Sequence, residues 1–280
     1  MKKIISIILV LALACTMMFA LASCGQAPTS KVAVQKGTTS KMYADLLKGI
    51  EVVVHDTFAL AANDMKNGNA DYVIVDKTTA KALCGEIDGL KIIDNIPLST
   101  ENYGIAIDPA QVELKNQINS ILKNKAADIA AIMAKYDLGL ESTYVGVESA
   151  TKSSEKAATQ LVVATNAEFA PWEYKEGNKY YGIDMEIAKL IADELDMELV
   201  IEHMDFDIVV ASVGKQNIDI AMSGITITAE RMEVVNFSDT YFTESIVVVC
   251  KEDDDSLASA GTVVDLLTVL CTPKDAEDAE

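Results

Sequence analysis

LVVATNAEFAPWEYKEGNKYYGIDMEIAKLIADELDMELVIEHMDF, Leu161 to Phe206, alternates strand and helix patterns in a way that extends to the rest of the chain. It opens on Leu161-Val-Val-Ala-Thr165, a short apolar run of the kind that forms a buried strand. Tyr181-Gly182 then leads into a segment in which Ile187, Leu190, Ile191 and Leu195 recur at helical spacing, predicting a helix with one buried face. Glu198 to Ile201 reads as the next strand. Downstream, Ile208 to Val213 reads as a short helix and Ile218-Asp-Ile-Ala221 as a strand. Thr228 is placed to cap a helix that carries Arg231, and Ile246 to Val249 is the last clear strand.

Upstream the same alternation appears in different words. Lys31 to Val34, Glu51 to Val54, Asp71 to Val75, Lys91 to Ile93 and Tyr103 to Ile107 read as strands. Lys41 to Leu47, Thr57 to Lys66 and Thr78 to Leu83 read as helices between them. Apolar strands alternating with amphipathic helices predict an α/β protein with mostly parallel sheets covered on both faces. A long helical stretch follows, with Leu114, Ile118, Ile121 and Leu122 on one face, continued by Ile129, Ile132 and Met133. The polar segment from Glu141 to Thr159 has no periodicity and reads as a linker. The two α/β units show no self-similarity, so they are not simple repeats.

The first residues carry an address. Met1-Lys2-Lys3 is followed by an apolar run from Ile4 to Leu21, ending in Leu21-Ala-Ser-Cys24-Gly25, the pattern of a secretory signal. Leu-Ala-Ser-Cys resembles the bacterial lipobox, which implies a signal peptide over 1–23, lipidation of Cys24 and a short tether over 24–30. An ordinary signal cut nearby, with Cys24 an incidental thiol, is the plainer alternative. No later segment has the ~20 apolar residues a spanning helix needs, so the expected place is extracytoplasmic, anchored to the cell membrane by lipid.

Composition narrows the function. The 280 residues carry a formal charge of -20, and a nucleic-acid partner, which wants a basic face, is not expected. Cys84, Cys250 and Cys271 are far apart and odd in number, neither a disulfide framework nor a metal signature. His55 and His203 are the only histidines, which leaves little material for zinc or Ser-His catalysis. No cofactor, metal or catalytic set is expected, and a monomer is.

Two runs carry a resemblance. Leu161 to Phe206, together with Asn217 to Phe242 (NIDIAMSGITITAERMEVVNFSDTYF), resembles the amino-acid-binding members of solute-binding protein family 3, the two-lobed periplasmic receptors of ABC importers. Ser223-Gly-Ile-Thr-Ile-Thr-Ala-Glu-Arg231 followed by Asn236-Phe-Ser-Asp239 is its most specific part. Val32-Ala-Val-Gln-Lys-Gly-Thr-Thr39, Met65 to Asp71 with Val75-Asp76, and Pro97 to Ala106 are similar to the landmarks of the family's other lobe. The resemblance implies the type II periplasmic-binding-protein fold, two α/β lobes joined by crossing hinge strands.

The order is changed. In the family, lobe 1 precedes lobe 2 and a helix returns to lobe 1. Here the expected arrangement is lobe 2 over 31–107, returning helices over 108–140, a linker over 141–159 and lobe 1 over 160–250. The tail, 251–280, either completes lobe 2 or is foreign to it. This reads as a circular permutation, tolerable where chain ends lie close on a surface. A linker of about 18 residues reaches roughly 60 Å at ~3.3 Å per residue. A rearranged gene product that no longer folds is the alternative.

The resemblance also names the residues that hold a zwitterion. Arg231 offers the ligand carboxylate a two-pronged guanidinium, with backbone N–H groups near Gly224 and Thr226. Asp76, directly after an apolar strand, takes the ammonium; a helix-capping role is its plainer reading. Thr39, in the Gly37 loop at a helix N-terminus, reaches the carboxylate on closure. Phe169 and Phe206 sandwich the aliphatic part, and Trp172 stands near the cleft mouth. Asn166 occupies a place where many relatives carry a carboxylate, which favours a polar uncharged amino acid. Gln35 and Ser223 tune the choice. Hinge closure about Tyr103 to Ile107 and Ser245 to Val249 would give a permease the shape it recognises. A dehydratase or lyase on the same fold would need a further acid or base, for which Glu168 and Glu173 are candidates; both are also plausible solvated loop carboxylates. A sensor module would need a transmembrane or signalling segment after the binding unit, and none is seen.

Overall fold

The computed structural model describes residues 29–272. The expected signal peptide, Cys24 and the acidic last residues lie outside the described residues. In chain order the elements begin with β1 (Ser30–Gln35), α1 (Thr39–Leu46), β2 (Ile50–His55), α2 (Phe58–Lys66), β3 (Tyr72–Asp76), α3 (Lys77–Glu86) and β4 (Leu90–Ile93). Next come β5 (Ser99–Tyr103), β6 (Ala106–Ile107), α4 (Val112–Asn124), α5 (Ala126–Asp137) and β7 (Gln160–Thr165). They are followed by β8 (Glu168–Phe169), β9 (Glu173–Glu176), β10 (Lys179–Tyr181), α6 (Ile183–Glu194), β11 (Glu198–His203) and α7 (Phe206–Ser212). The last are β12 (Ile220–Ala221), β13 (Asn236–Phe237), β14 (Phe242–Lys251) and α8 (Val263–Leu270). The chain forms two α/β units, and it passes between them twice, within β5 after Thr100 and within β14 before Ser245.

The first unit holds the described residues up to Thr100 and from Ser245 onward. Its sheet runs β2-β1-β3-β14-β4, with β1 parallel to β2 and β3 and β14 antiparallel to both β3 and β4. Both faces are buried, which is why its strands are almost continuously apolar. Val32, Val34, Tyr72, Ile74, Ile246, Val248 and Cys250 face one cluster, closed by Ala44 and Leu47 beside α1 and by Leu266, Leu267 and Leu270 of α8. The alternate residues, Ala33, Val73, Val75, Val247 and Val249, are equally buried, and α2 and α3 contact the sheet strands.

The tail beyond Lys251 therefore contributes core. The hydroxyl of Thr262 accepts the Asp265 N–H and starts α8, a standard N-cap. The Ser30 hydroxyl donates to the Thr272 carbonyl at 2.8 Å, so the two ends of the described chain meet. Gly49, at φ +83°, passes within 3.0 Å of the Cys271 carbonyl measured from where a Cβ would stand. The last strand is also longer than the pattern Ile246 to Val249 suggests, because its N-terminal flank, Thr243-Glu-Ser245, is a polar run that carries no strand pattern.

The second unit spans Glu101 to Glu244. Its sheet runs β11-β7-β12-β6-β13, with β11, β7 and β12 parallel and β6 antiparallel to its neighbours β12 and β13. Val162, Ala164 and Val200 pack against Val209 and Val213 on one face, while α6 contacts β7 and β11 and is itself met by α4 and α5. Tyr136 at the end of α5 donates to Glu186 at 2.7 Å, Lys135 forms an ion pair with the same carboxylate, and the Val145 N–H joins them at 3.1 Å.

The polar segment read as a linker is fastened down. Val147 bridges Tyr180, the Ala150 N–H donates to the Leu199 carbonyl, and the Ser149 hydroxyl accepts the Ile201 N–H at 2.8 Å. These bonds follow no hydrophobic period, so periodicity could not reveal them. Strands β8, β9 and β10 form a small antiparallel sheet that leads into α6 through Gly182. At φ +117°, a Cβ there would sit 2.2 Å from the Trp172 carbonyl oxygen, so only glycine fits.

Candidate ligand-binding site

In the second unit, the ends of β7 and β12 bring Asn166 and Ser223 side by side. The Asn166 N–H donates to the Ser223 hydroxyl oxygen at 3.1 Å, and its side-chain amide donates to the Met204 carbonyl at 3.0 Å. Carboxyl ends of parallel strands are where open α/β sheets take ligands. Gly224 follows at φ +53°, with the Phe169 ring so close that a Cβ would stand 2.7 Å from it. Arg231 donates from its guanidinium to the Thr226 carbonyl at 2.8 Å and lies 5.6 Å from the centre of the Phe206 ring, a cation–π distance. Asn166, Phe169, Ser223, Gly224, Thr226, Arg231 and Phe206 thus form a connected set.

Three buried carboxylates stand behind this strand end. The Ser223 hydroxyl donates to Glu173 at 2.5 Å, the Gly224 N–H donates to Asp184 at 2.8 Å, and the Thr226 hydroxyl donates to Glu101 at 2.6 Å. Asp184 also accepts the Tyr241 hydroxyl at 2.8 Å. Burial pushes the Asp184 carboxyl up to about 7, against the opposing pull of its two donors, Gly224 and Tyr241. The Tyr241 hydroxyl is itself pushed well above its ordinary range, first by burial and then by the Asp184 charge.

Several residues stand elsewhere than the sequence suggests. Trp172 is not at a cleft mouth: it is wholly buried, with its ring 4.9 Å from Tyr103 and 4.7 Å from Phe242, both edge-on. A large aromatic beside an apolar strand is core unless something holds it out. Thr228 does accept the Arg231 N–H at 3.1 Å, but what it starts is a 3-10 turn, Arg231–Glu233, not an α-helix. Glu173 is fully enclosed, not a solvated loop carboxylate, whereas Glu168 is exposed. Glu101, Asp184, Tyr103 and Tyr241 were not singled out from sequence. The Asp184 position reads as an ordinary acidic residue in the first turn of a helix.

In the first unit, β1 and β3 are neighbours, so their carboxyl ends place Gln35, Thr39 and Asp76 in one region. Thr38 is the residue that caps α1, its hydroxyl accepting the Lys41 N–H at 3.2 Å; Thr39 is the buried first helical residue. Gln35 is buried, its amide donating to the Asp56 carbonyl at 2.9 Å. Asp76 occupies the N-cap position of α3, yet its side chain makes no capping hydrogen bond there. The Ser40 and Thr79 hydroxyls, on the first turns of α1 and α3, are buried with no hydrogen-bond partner among the described residues.

Comparison with known proteins agrees with the second unit's motifs. Residues 161–278, less than half of the chain, match the family model of the bacterial extracellular solute-binding proteins, family 3, so this part of the chain resembles that family. The arginine-binding extracellular protein ArtP of Bacillus subtilis (strain 168) is 36% identical over 105 residues, 38% of this chain and 41% of that protein. Cyclohexadienyl dehydratase of Pseudomonas aeruginosa is 31% identical over 96 residues, 33% of this chain and 36% of that enzyme. The arginine-bound domain 1 of TmArgBP is 32% identical, covering 43% of this chain and 98% of that structure, with a TM-score of 0.30. The chain spans less than half the length of the first two relatives. Among the described residues, no helix is long and apolar enough to cross a membrane.

Proposed function

We propose that this chain is an extracytoplasmic, lipid-anchored receptor that binds a free amino acid and presents it to the permease of an ABC importer, with its two lobes in circularly permuted order. The observation that carries the reading is the Ser223–Arg231 segment: a guanidinium, a strand end with a tightly approached glycine and two flanking aromatic rings, gathered in one place. That set suits a carboxylate on a small ligand with an aliphatic body. In the first unit, Asp76 and Thr39 remain the residues proposed for the ligand's ammonium and carboxylate. ArtP's name places arginine among the ligands to try first.

The permuted order draws support from two places. The described ends meet at Ser30 and Thr272, where an unpermuted chain would run on without a break. The segment 141–159 would then be the added joint between ends that both lie on the second unit. Lipidation at Cys24 rests on the Leu-Ala-Ser-Cys pattern alone; Cys24→Ala should release the protein from membranes.

The test is a thermal-shift screen of the full-length chain against the amino acids, beside Arg231→Ala. A ligand specific to the folded state adds about 2.7 kcal/mol at a hundredfold excess over Kd. A shift for one or a few amino acids, lost in the variant, supports the reading. A cooperative melt unmoved by every amino acid sinks it. Because one relative is a dehydratase, the bound ligand is also recovered and checked for turnover; conversion would favour an enzyme, with the exposed Glu168 rather than the enclosed Glu173 as the acid or base.

A further inference from the structure

One buried carboxylate ties together most of the second unit's candidate contacts without being presented to a ligand itself. Glu173 on β9 is fully buried, and it accepts the Ser223 hydroxyl at 2.5 Å. A serine hydroxyl has a single proton. With that proton given to Glu173, the Ser223 oxygen is left to accept, and it does so from the Asn166 N–H at 3.1 Å. The backbone of Glu173 pairs with Phe169 across the β8–β9 hairpin, and the Phe169 ring covers Gly224. The residue is locked from behind as well: a Cβ at Gly182 would stand 2.8 Å from the Glu173 Cα.

We infer that Glu173 is a positioning residue of the binding site: by fixing the direction of the Ser223 hydroxyl it holds Asn166 and Gly224 in register with the Phe169 ring. This deepens the amino-acid-binding reading and rests on it for the meaning of those contacts. An acceptor, and not merely volume, is what the place requires. Glutamine keeps a carbonyl that can take the Ser223 proton. Alanine removes the acceptor, freeing the hydroxyl to turn and the Asn166 amide to lose its partner. Methionine fills much the same space without a carbonyl, so a group that only filled space would tolerate methionine as well as glutamine.

The experiment is isothermal titration of L-arginine, and of any amino acid that shifts the melt, into the full-length chain and six variants. These are Glu173→Ala, Glu173→Gln, Glu173→Met, Ser223→Ala, the Glu173→Ala/Ser223→Ala double variant, and Glu186→Gln as a buried-carboxylate control in the same unit. Removal of a buried acceptor should weaken binding about tenfold or more in Glu173→Ala, with Glu173→Gln within about threefold of the parent. The double variant should bind no worse than the weaker single one, since both break the same link. Glu186→Gln should lower the melting temperature while leaving Kd in place. Independent, multiplying losses at Glu173 and Ser223, or a lowered melt with Kd unchanged at Glu173→Ala, would overturn the inference.

Should the parent bind no amino acid, the receptor reading fails, and hydrogen exchange at the Asn166 and Gly224 amides decides the positioning role on its own. Protection lost in Glu173→Ala and kept in Glu173→Gln supports it; unchanged protection in both refutes it. Glu173→Met, which keeps the volume without the acceptor, should behave as Glu173→Ala does in both assays and takes its place if that variant does not fold; an Asn166 amide held as firmly in Glu173→Met as in Glu173→Gln overturns the inference.

Discussion

Truncating the buried face of α8 tests whether the tail is part of the first unit's core. Leu266 and Leu270 are fully buried, and Leu267 is 5% exposed; all three join the cluster formed by β1, β3 and β14. A buried Leu→Ala change costs about 2.7–5 kcal/mol, the sum of lost transfer energy and the cavity left behind. Leu266→Ala and Leu270→Ala should each fall in that range. Their sum should not be strictly additive, because neighbouring residues four apart share a cavity. A domain's whole stability is about 5–15 kcal/mol, so the double variant should leave the first unit barely folded.

The assay is urea unfolding followed by two probes. Trp172 is the only tryptophan and belongs to the second unit, so its emission reports that unit, while far-ultraviolet circular dichroism reports both. At a slope of about 2 kcal/mol per molar urea, a loss of ~3 kcal/mol moves a midpoint by about 1.5 M. The circular dichroism transition of Leu270→Ala should drop by that amount, while the fluorescence transition moves less. A shift of the circular dichroism transition below roughly 0.3 M would refute the packing of α8 and, with it, the tail's place in the fold.

Gly182→Ala should abolish soluble expression of the folded chain or cost well over 3 kcal/mol by chemical denaturation, since the added Cβ meets the Trp172 carbonyl at 2.2 Å and the backbone angle excludes side chains. Glu186→Gln should cost about 1–3 kcal/mol, read as a lower melting temperature, because Tyr136, Lys135 and Val145 all converge on that carboxylate. Burial raises the Asp184 carboxyl to about 7, above the ~3.9 of an unfolded chain; between those values the folded state holds a proton the unfolded state lacks. Stability should therefore fall as pH rises from about 4 to about 7 and level off above it, and the slope should flatten in Asp184→Asn; a rising stability through that window would contradict the assignment. Cys84, whose thiol burial pushes up to about 11, should alkylate at pH 8 much more slowly than a free thiol in the unfolded chain, measured by mass spectrometry.

What could be read without coordinates is what local pattern encodes. The apolar runs of β1, β3, β7 and β14 announce strands buried on both faces, and Ile187 and Ile191 announce the inner face of α6. α8 is ambiguous for a physical reason: Leu266, Leu267 and Leu270 sit at helical spacing, while Val263, Val264, Thr268 and Val269 are β-branched, so packing decides. Of the three carboxylates behind the site, Asp184 and Glu101 were illegible because their partners are remote, and Glu173 was legible only as a loop carboxylate. Asp184 meets residues 40 and 57 positions away, and Glu101 meets Thr226 across 125 positions. Arg231 was legible because its neighbours in sequence, from Ser223 to Thr228, are also its neighbours in space.

The proposed change of order is compatible with these contacts because none of the site's bonds depends on the path of the chain between the elements that make them. The Ser223 hydroxyl, the Gly224 N–H and the Arg231 guanidinium lie within one short segment, and the residues they meet are fixed by sheet pairing and by α6. What reordering changes is which ends are covalently joined, and the entropic difference between closing a loop of one length and another is only about 0.6 kcal/mol per doubling. Against that stand the Ser30–Thr272 contact at one junction and the Val147, Ser149 and Ala150 bonds along the other, each of order 1 kcal/mol. Local fastening at both proposed junctions is larger than the loop term, so the proposed order carries no energetic cost that would break the site's contacts.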